Sequence, residues 1–506
     1  MLDPNNTQAL VLDLREELLD GRLAPVVDDN ELNATLLLGK RACGRLQEPV
    51  VAGPPHRHDD AHELPLQGFF TPRGRWYGLS VLQRGPHIGV TPSTGARLAG
   101  IEGLRAIAAG SVLVFHSWTF SAPPGQSVDA GALTRFLPDL AFGVTLFFTL
   151  SGFLLYRPFA AAVLRSEPLP SIRRYLRNRA FRILPAYWVI LFVSAVVLGS
   201  VLVPTGTGEL ENGAVRDPDL LVRSALFLQY SHADTVLTGI GPAWSLAVEV
   251  VFYLALPGLA LLAWMLGRGC ASRARRRLAV LVPPALMLAV GLSGKAAAAF
   301  VFPGVRAYAG WRSDWHSVLE RSIWNHADLF AFGMALAVLR TDSEDRLLHL
   351  PRHWAKGAVL LGLIAYGLTA RNTYINEHLS YSPWNTMMAI SCALLLAVVV
   401  LPAVKGRESR FVRMLEWRPL VGAGVVSYSV FLWHEPVVRW LSEHGLTRAG
   451  TAGFALNTIV LAAVTGALSV LTYRFVESPA LRRRRLRGVG RVAGSDMSGG
   501  QRQAAP

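Results

Sequence analysis

The sequence predicts an all-α chain: a polytopic membrane helix bundle of about ten spans, behind a largely disordered N-terminal extension. Three observations lead there. Hydrophobic residues make up 51% of the 506 and charged ones only 17%, whereas soluble domains carry nearer a quarter charged. The apolar residues gather in runs close to the twenty that a bilayer demands of a helix. The net charge of +15 is almost all arginine and falls in short clusters between those runs. That is the pattern of inner-face membrane loops rather than of a nucleic-acid-binding surface, so no nucleic acid partner is expected.

Residues 1–97 are expected to be a cytosolic, mostly linker-like extension. They lack a basic n-region followed by an apolar core, so no secretory leader is read there. Ala9–Leu23 has the pattern of a short amphipathic helix. His58 and His62 stand four apart, as a metal pair on a helix would, but Pro54–Pro55 precede them and no helix signal holds the spacing. A solvated linker is the reading, and no metal site is expected. Cys43, Cys270 and Cys392 sit in no redox or zinc spacing and suggest no disulfide.

The spans follow near 98–120, 138–163, 184–203, 243–266, 278–300, 324–340, 357–371, 385–403, 420–440 and 452–476. Arginines crowd the loops after the second, fourth, sixth, eighth and tenth. The alternate loop 204–240 instead carries Glu209, Glu211, Asp217 and Asp219. An even span count with both termini cytoplasmic puts every basic cluster on one side, which places the chain in the cell membrane as a multi-pass protein. The transmembrane domain is thus read as 98–480. Residues 481–506 form a basic, then Gly/Ser-rich cytosolic tail.

The first span contains the most informative pair. Arg105 and His116 are eleven residues apart, which at 100° per residue puts both on one helix face about 16 Å apart along the axis. A guanidinium and an imidazole inside a span usually line a cavity or a pathway rather than face lipid. His116 titrates near neutrality and suits a general base.

Six stretches in order identify a resemblance. They are GLRAIAAGSVLVFH (Gly103–His116), FGVTLFFTLSGFLL (Phe142–Leu155), RAFRILPAYW (Arg179–Trp188), PAWSLAVEVVFY (Pro242–Tyr253), SYSVFLWHEPV (Ser427–Val437) and YRFVESP (Tyr473–Pro479). From about Arg97 to Leu481 the chain resembles the membrane-bound acyltransferase 3 family. The resemblance implies an enzyme that moves an acyl group, commonly acetyl, from cytosolic acyl-CoA to a hydroxyl of a carbohydrate, lipid-linked sugar or small metabolite. It also implies His116 as the base, acyl-CoA as co-substrate and no permanently bound cofactor. One departure stands out: Thr145 occupies a position where the family often has Asp.

Counting inward along the spans puts Glu249 at about the depth of His116, so Glu249 is the expected carboxylate partner of that imidazole, with a structural ion pair or a protonated carboxyl holding helices together as the alternative. Arg105 is a candidate for stabilising charge on the donor thioester or its phosphates, and Arg179 and Arg182 for the phosphates of CoA, because planar guanidinium groups suit bidentate phosphate recognition. A topology-setting basic loop accounts for Arg179 and Arg182 equally well. Trp244, Ser245 and His434 are candidate substrate-cavity residues, with an interface anchor and helix start as the other reading of Trp244 and Ser245 and helix packing as that of His434. Ser151 and Gly152 are read as small residues that let helices approach, because no strand-to-helix elbow is present to activate a serine. Glu477 is read as structural. The competing function is a transporter, for which intramembrane charges are ordinary. Against it, the chain has no internal repeat or pair of broken helices in matching halves.

Overall fold

Gly100 opens the first helix. Its φ of +85° is a left-handed conformation that glycine adopts without steric cost, and its N–H donates to the Glu416 carboxylate at 2.5 Å. The computed structural model describes residues 98–122, 128–129, 131–205, 210–302, 313–375, 382–401 and 409–482. The readings made for Ala9–Leu23, His58, His62, Cys43 and the tail beyond Arg482 lie outside them.

From Gly100 run α1 (Ile101–Thr119), α2 (Phe142–Arg165) and α3 (Ile172–Phe192). A two-stranded antiparallel hairpin follows, β1 (Val201–Pro204) on β2 (Leu210–Gly213), with Val201 opposite Gly213. Next come the short α4 (Pro218–Ala225), then α5 (Trp244–Gly267), α6 (Arg273–Val301), the short α7 (Trp315–Glu320) and α8 (Ile323–Glu344). The chain continues with α9 (Trp354–Ile375), α10 (Ser382–Val400), the short α11 (Arg410–Leu415) and α12 (Arg418–Val425), then α13 (Ser427–Glu443) and α14 (Gly450–Thr472).

Each of the ten predicted segments contains a long helix. Among the described residues, six are long and apolar enough to cross a bilayer by length and composition: α2, α3, α5, α6, α8 and α14. Large apolar side chains such as Leu254, Leu363, Ile459 and Phe300 are exposed on the outside, while serines, threonines, asparagines and histidines are buried within. A bundle turned this way round has lipid as its solvent and uses polar side chains between helices.

Successive helices run antiparallel, as two sets of end contacts make plain. At one end, Arg165 of α2 meets Asp345 just past α8, and Arg273 at the start of α6 meets Asp342 and Asp345. Arg340 of α8 reaches the last carbonyls of α10 at Val400. At the other end, the Asn457 amide of α14 donates to Ser121 just past α1. Arg439 near the end of α13 donates to Asn212 of the hairpin. Asp345 lies beyond the α8 span. Burial opposes its charge, but hydrogen bonds from Arg165 and Arg273 outweigh that and hold its carboxyl below the usual range.

Helices α2 and α8 approach most closely through reciprocal glycines. A Cβ on Gly152 would strike the Phe330 backbone, and one on Gly333 would strike the Thr149 carbonyl. The packing role read for Gly152 therefore holds. A buried ion pair adds a third helix to this contact: Lys295 of α6 donates to Asp328 of α8 at 2.5 Å. Thr386 of α10 donates to the other Asp328 oxygen at 2.6 Å.

Three expectations change. Arginines expected in loops sit on helices: α3 starts at Ile172 rather than near 184, capped by Ser171, which accepts from the Arg174 N–H. Arginine is a good helix former, so the helix runs on past the apolar stretch. The segment 420–440 is two helices, because Val426 (φ −91°, ψ 4°) leaves helical geometry between α12 and α13. The third segment ends early, in a π turn at Val193–Val197 ahead of the hairpin.

Candidate active site

Two cavities lie at different depths along α1, one around His116 and one around Arg105. The first, of about 200 Å³, is lined by His116, Thr145, Trp244, Asn325, His326, Trp384 and Asn385, among others. Glu320 and Arg321 line it too. The second, of about 110 Å³, is lined by Arg105, Ser151, Arg179, Arg182, Ser245, Glu249, Tyr253 and Tyr428, with apolar neighbours.

The hydrogen-bond geometry assigns the protons of the two central histidines. His116 Nδ1 lies 2.9 Å from the Val112 carbonyl, one turn back on the same helix. A carbonyl only accepts, so Nδ1 carries the hydrogen. His434 Nδ1 likewise faces the Val430 carbonyl at 3.3 Å, and its Nε2 stands 3.3 Å from His116 Nδ1. His434 Nε2 thus accepts from the His116 N–H, which is shared with the Val112 carbonyl. The rings meet nearly edge-on, with centroids 4.8 Å apart. Each neutral ring then has a bare Nε2, and the basic atom that His116 retains is that one.

Burial opposes a positive charge on the His116 ring, and three features around it favour one. The ring is in the last turn of α1, where the helix dipole favours a cation. His434 supports its Nδ1–H, and the Glu435 carboxylate acts on it through space. Glu435 is itself pinned, accepting from Arg439 and from the Gly241 N–H at 3.1 Å. His326 contrasts with this. It sits in the first turn of α8, where the dipole disfavours a cation, with its Nδ1 3.1 Å from the Ser322 carbonyl.

The pairing expected between His116 and Glu249 does not form. Glu249 accepts from Ser151 and from Tyr253 and lines the arginine cavity. Depth along a span gives only the axial level; it does not say which helix face meets which. The three arginines come together as a group. Arg105 lies 4.0 Å from Glu102 and lines the same cavity wall as Arg179 and Arg182. Arg182 is 3.7 Å from Glu477, whose other oxygen accepts from Ser429 at 2.6 Å. Glu477 thereby ties α3, α13 and the π turn Tyr473–Glu477.

Among the remaining candidates, His434 meets His116 directly, and Trp244 lines the histidine cavity. Ser245 lines the arginine cavity with its hydroxyl donated to the Pro242 carbonyl at 2.9 Å. Thr145, at the departure from the family pattern, is buried at the wall of the histidine cavity. Sequence reasoning missed His326, Asn325, Trp384 and Asn385. The run WNHADLF (Trp324–Phe330) places a histidine and an aspartate inside an apolar segment, and this signal had the same form as the one at Arg105 and His116.

The fold and site define a membrane-embedded helix bundle with a basic cavity and an imidazole cavity served by one helix. A family model described as an acyltransferase domain, acyltransferase 3, matches residues 98–474. The chain belongs to this family, and so to the acyltransferases that transfer groups other than aminoacyl groups. It is 27% identical over 406 residues to the acyltransferase MdmB of Streptomyces mycarofaciens, covering 77% of this chain and 93% of that protein. It is 25% identical to YrhL of Bacillus subtilis, named as a candidate peptidoglycan O-acetyltransferase, over 76% of this chain and 54% of the other. The O-acetyltransferase OatA of Staphylococcus aureus is 23% identical over 76% of this chain and 57% of its own length. The chain thus spans little more than half of the last two relatives. No solved structure matches it significantly.

Proposed function

We propose that this protein is an acyl-CoA-dependent O-acyltransferase. It takes an acyl group, acetyl in the first instance, from acyl-CoA in the arginine cavity and gives it to a hydroxyl of a carbohydrate, lipid-linked sugar or small metabolite in the histidine cavity. The observation that carries this reading is the distribution along α1: Arg105 opens on a cavity with Arg179 and Arg182, and His116 opens on the other. By the positive-inside rule the arginine end faces the cytosol, where acyl-CoA is found, and both termini lie on that side.

In this mechanism, Arg105, Arg179 and Arg182 hold phosphates of the donor, and Glu249 orients guanidinium groups and Ser151 rather than assisting His116. Trp244 and Trp384 offer apolar ring faces to the acceptor, and Asn325 and Asn385 offer amides for its hydroxyls. The acceptor hydroxyl gives its proton to His116 Nε2 as its oxygen attacks the thioester carbonyl. The imidazolium is stabilised by His434 and by the end of α1. The C–S bond then breaks, and the same proton passes to the departing thiolate, leaving ester and free thiol.

Sided vesicles test the reading. With acetyl-labelled acetyl-CoA supplied on the arginine-end side, label should appear on a hydroxyl acceptor supplied on the other. Label found only when donor and acceptor share one side would overturn the two-sided route.

A further inference from the structure

We propose that Phe148 is the partition between the two cavities and sets the size of acyl group that crosses, an inference that rests on the donor and acceptor assignment above. Among the described residues, Phe148 alone lines both cavities. It stands on α2 between Thr145, which lines the histidine cavity, and Ser151, which lines the arginine cavity. Steps of three residues keep all three near one helix face and separate them by about 4.5 Å each along the axis. The change of cavity along that face therefore falls at the Phe148 ring. The same division recurs on α5, where Trp244 lines one cavity and its neighbour Ser245 the other.

The ring is held in place. Phe148 stacks on Phe330 with centroids 4.8 Å apart, and Phe330 stacks in turn on Phe252 at 4.2 Å. The edges of Trp244 and His326 close on Phe148 at 6.2 and 5.7 Å. Only 1% of Phe148 is exposed. With the ring seated, a thioester in the arginine cavity and a hydroxyl on His116 are on opposite sides of it. The acyl carbon must pass the ring before the C–O bond can form. Water in the acceptor cavity is kept from the thioester by the same ring, and an acyl chain too bulky to pass stays on CoA.

Thiol labelling tests the partition independently of turnover. In a chain with Cys43, Cys270 and Cys392 replaced, a single cysteine is placed by Thr145→Cys or Ser151→Cys. A membrane-impermeant thiol reagent is then applied to either side. From the side that labels position 145, position 151 should stay unlabelled with Phe148 present and become labelled with Phe148→Ala or the milder Phe148→Leu. Equal labelling of position 151 with Phe148 intact would overturn the partition.

Donor choice tests the size role. Phe148→Ala should raise the ratio of butyryl to acetyl transfer by about tenfold or more, the discrimination that one or two methylenes carry in an apolar slot. An unchanged ratio would overturn that role. If labelling behaves as expected but the unmodified protein moves no acyl group from acyl-CoA, the donor assignment falls and takes the size role with it, while the barrier between the cavities stands.

Discussion

Asp328 offers the sharpest test of how the histidine cavity is held. Its carboxylate takes Lys295 Nζ at 2.5 Å and Thr386 Oγ1 at 2.6 Å. The Asp328 and Lys295 side chains are 0% and 6% exposed, so neither charge has solvent to fall back on. Removing one partner of such a pair leaves the other buried and uncompensated, at a cost of about 3–5 kcal/mol, whereas replacing both is close to neutral. Asp328→Asn and Lys295→Met should therefore each lower the apparent melting temperature in detergent by many degrees. The double variant, in which the introduced amide oxygen still accepts from Thr386, should recover most of the loss. With single costs of that size and a double change close to neutral, the coupling from the double-mutant cycle should be about 5 kcal/mol or more. Activity should follow stability, because Asn325 and His326 precede Asp328 on α8 and Trp384 and Asn385 precede Thr386 on α10. Additive losses in the double variant, or single variants as stable as the parent, would refute the argument.

Two further outcomes follow from other sites. Arg179→Lys and Arg182→Lys should raise the apparent KM for acyl-CoA about tenfold or more with kcat little changed, because charged hydrogen bonds worth about 1.5–3 kcal/mol lose their bidentate geometry; unchanged donor kinetics would return both residues to a topological role. For Asp345, the carboxyl is held below its unfolded value of about 3.9, so its stabilising effect is present above that pH and is lost as pH falls through the folded value. Asp345 is partly exposed, so Asp345→Asn should cost less than about 1 kcal/mol at pH 7, and melting curves of variant and parent should converge below about pH 4; a gap that widens in acid would contradict this.

The helices were the most legible part of the chain because a bilayer imposes length and apolarity on each span, and both can be counted. What the count could not show was where polar residues extend a helix. Ser171 and the arginine-rich first turns of α3 read as loop because they are charged or polar, although they also cap and form helices. The hairpin straddles what reads as two different things: Val201–Val203 falls at the end of an apolar segment and Leu210–Gly213 in the acidic loop 204–240.

The site was legible one helix at a time. Arg105 and His116 share a helix, so their spacing carried real geometry. His116 and His434 are 318 positions apart, and nothing in a single sequence brings α1 and α13 together. Glu249 was assigned to the wrong partner for the same reason: its depth matched that of His116, but its neighbours across the helix contacts are Ser151 and the arginines. Phe148 looked like one apolar residue among many in α2. Its position between the cavities depends on Phe330 and Trp244 from two other helices.

The central claim is that His116 Nε2 takes the proton of the acceptor hydroxyl. Its most direct test is the rate of acyl transfer from acetyl-CoA by purified His116→Ala in vesicles, beside the parent protein at matched insertion and matched melting temperature. Loss of a positioned general base costs about a hundred- to ten-thousandfold. The expected result is a fall of that size with donor binding at the arginine cavity retained. Transfer within a few-fold of the parent rate, by a variant that inserts and folds normally, would contradict it.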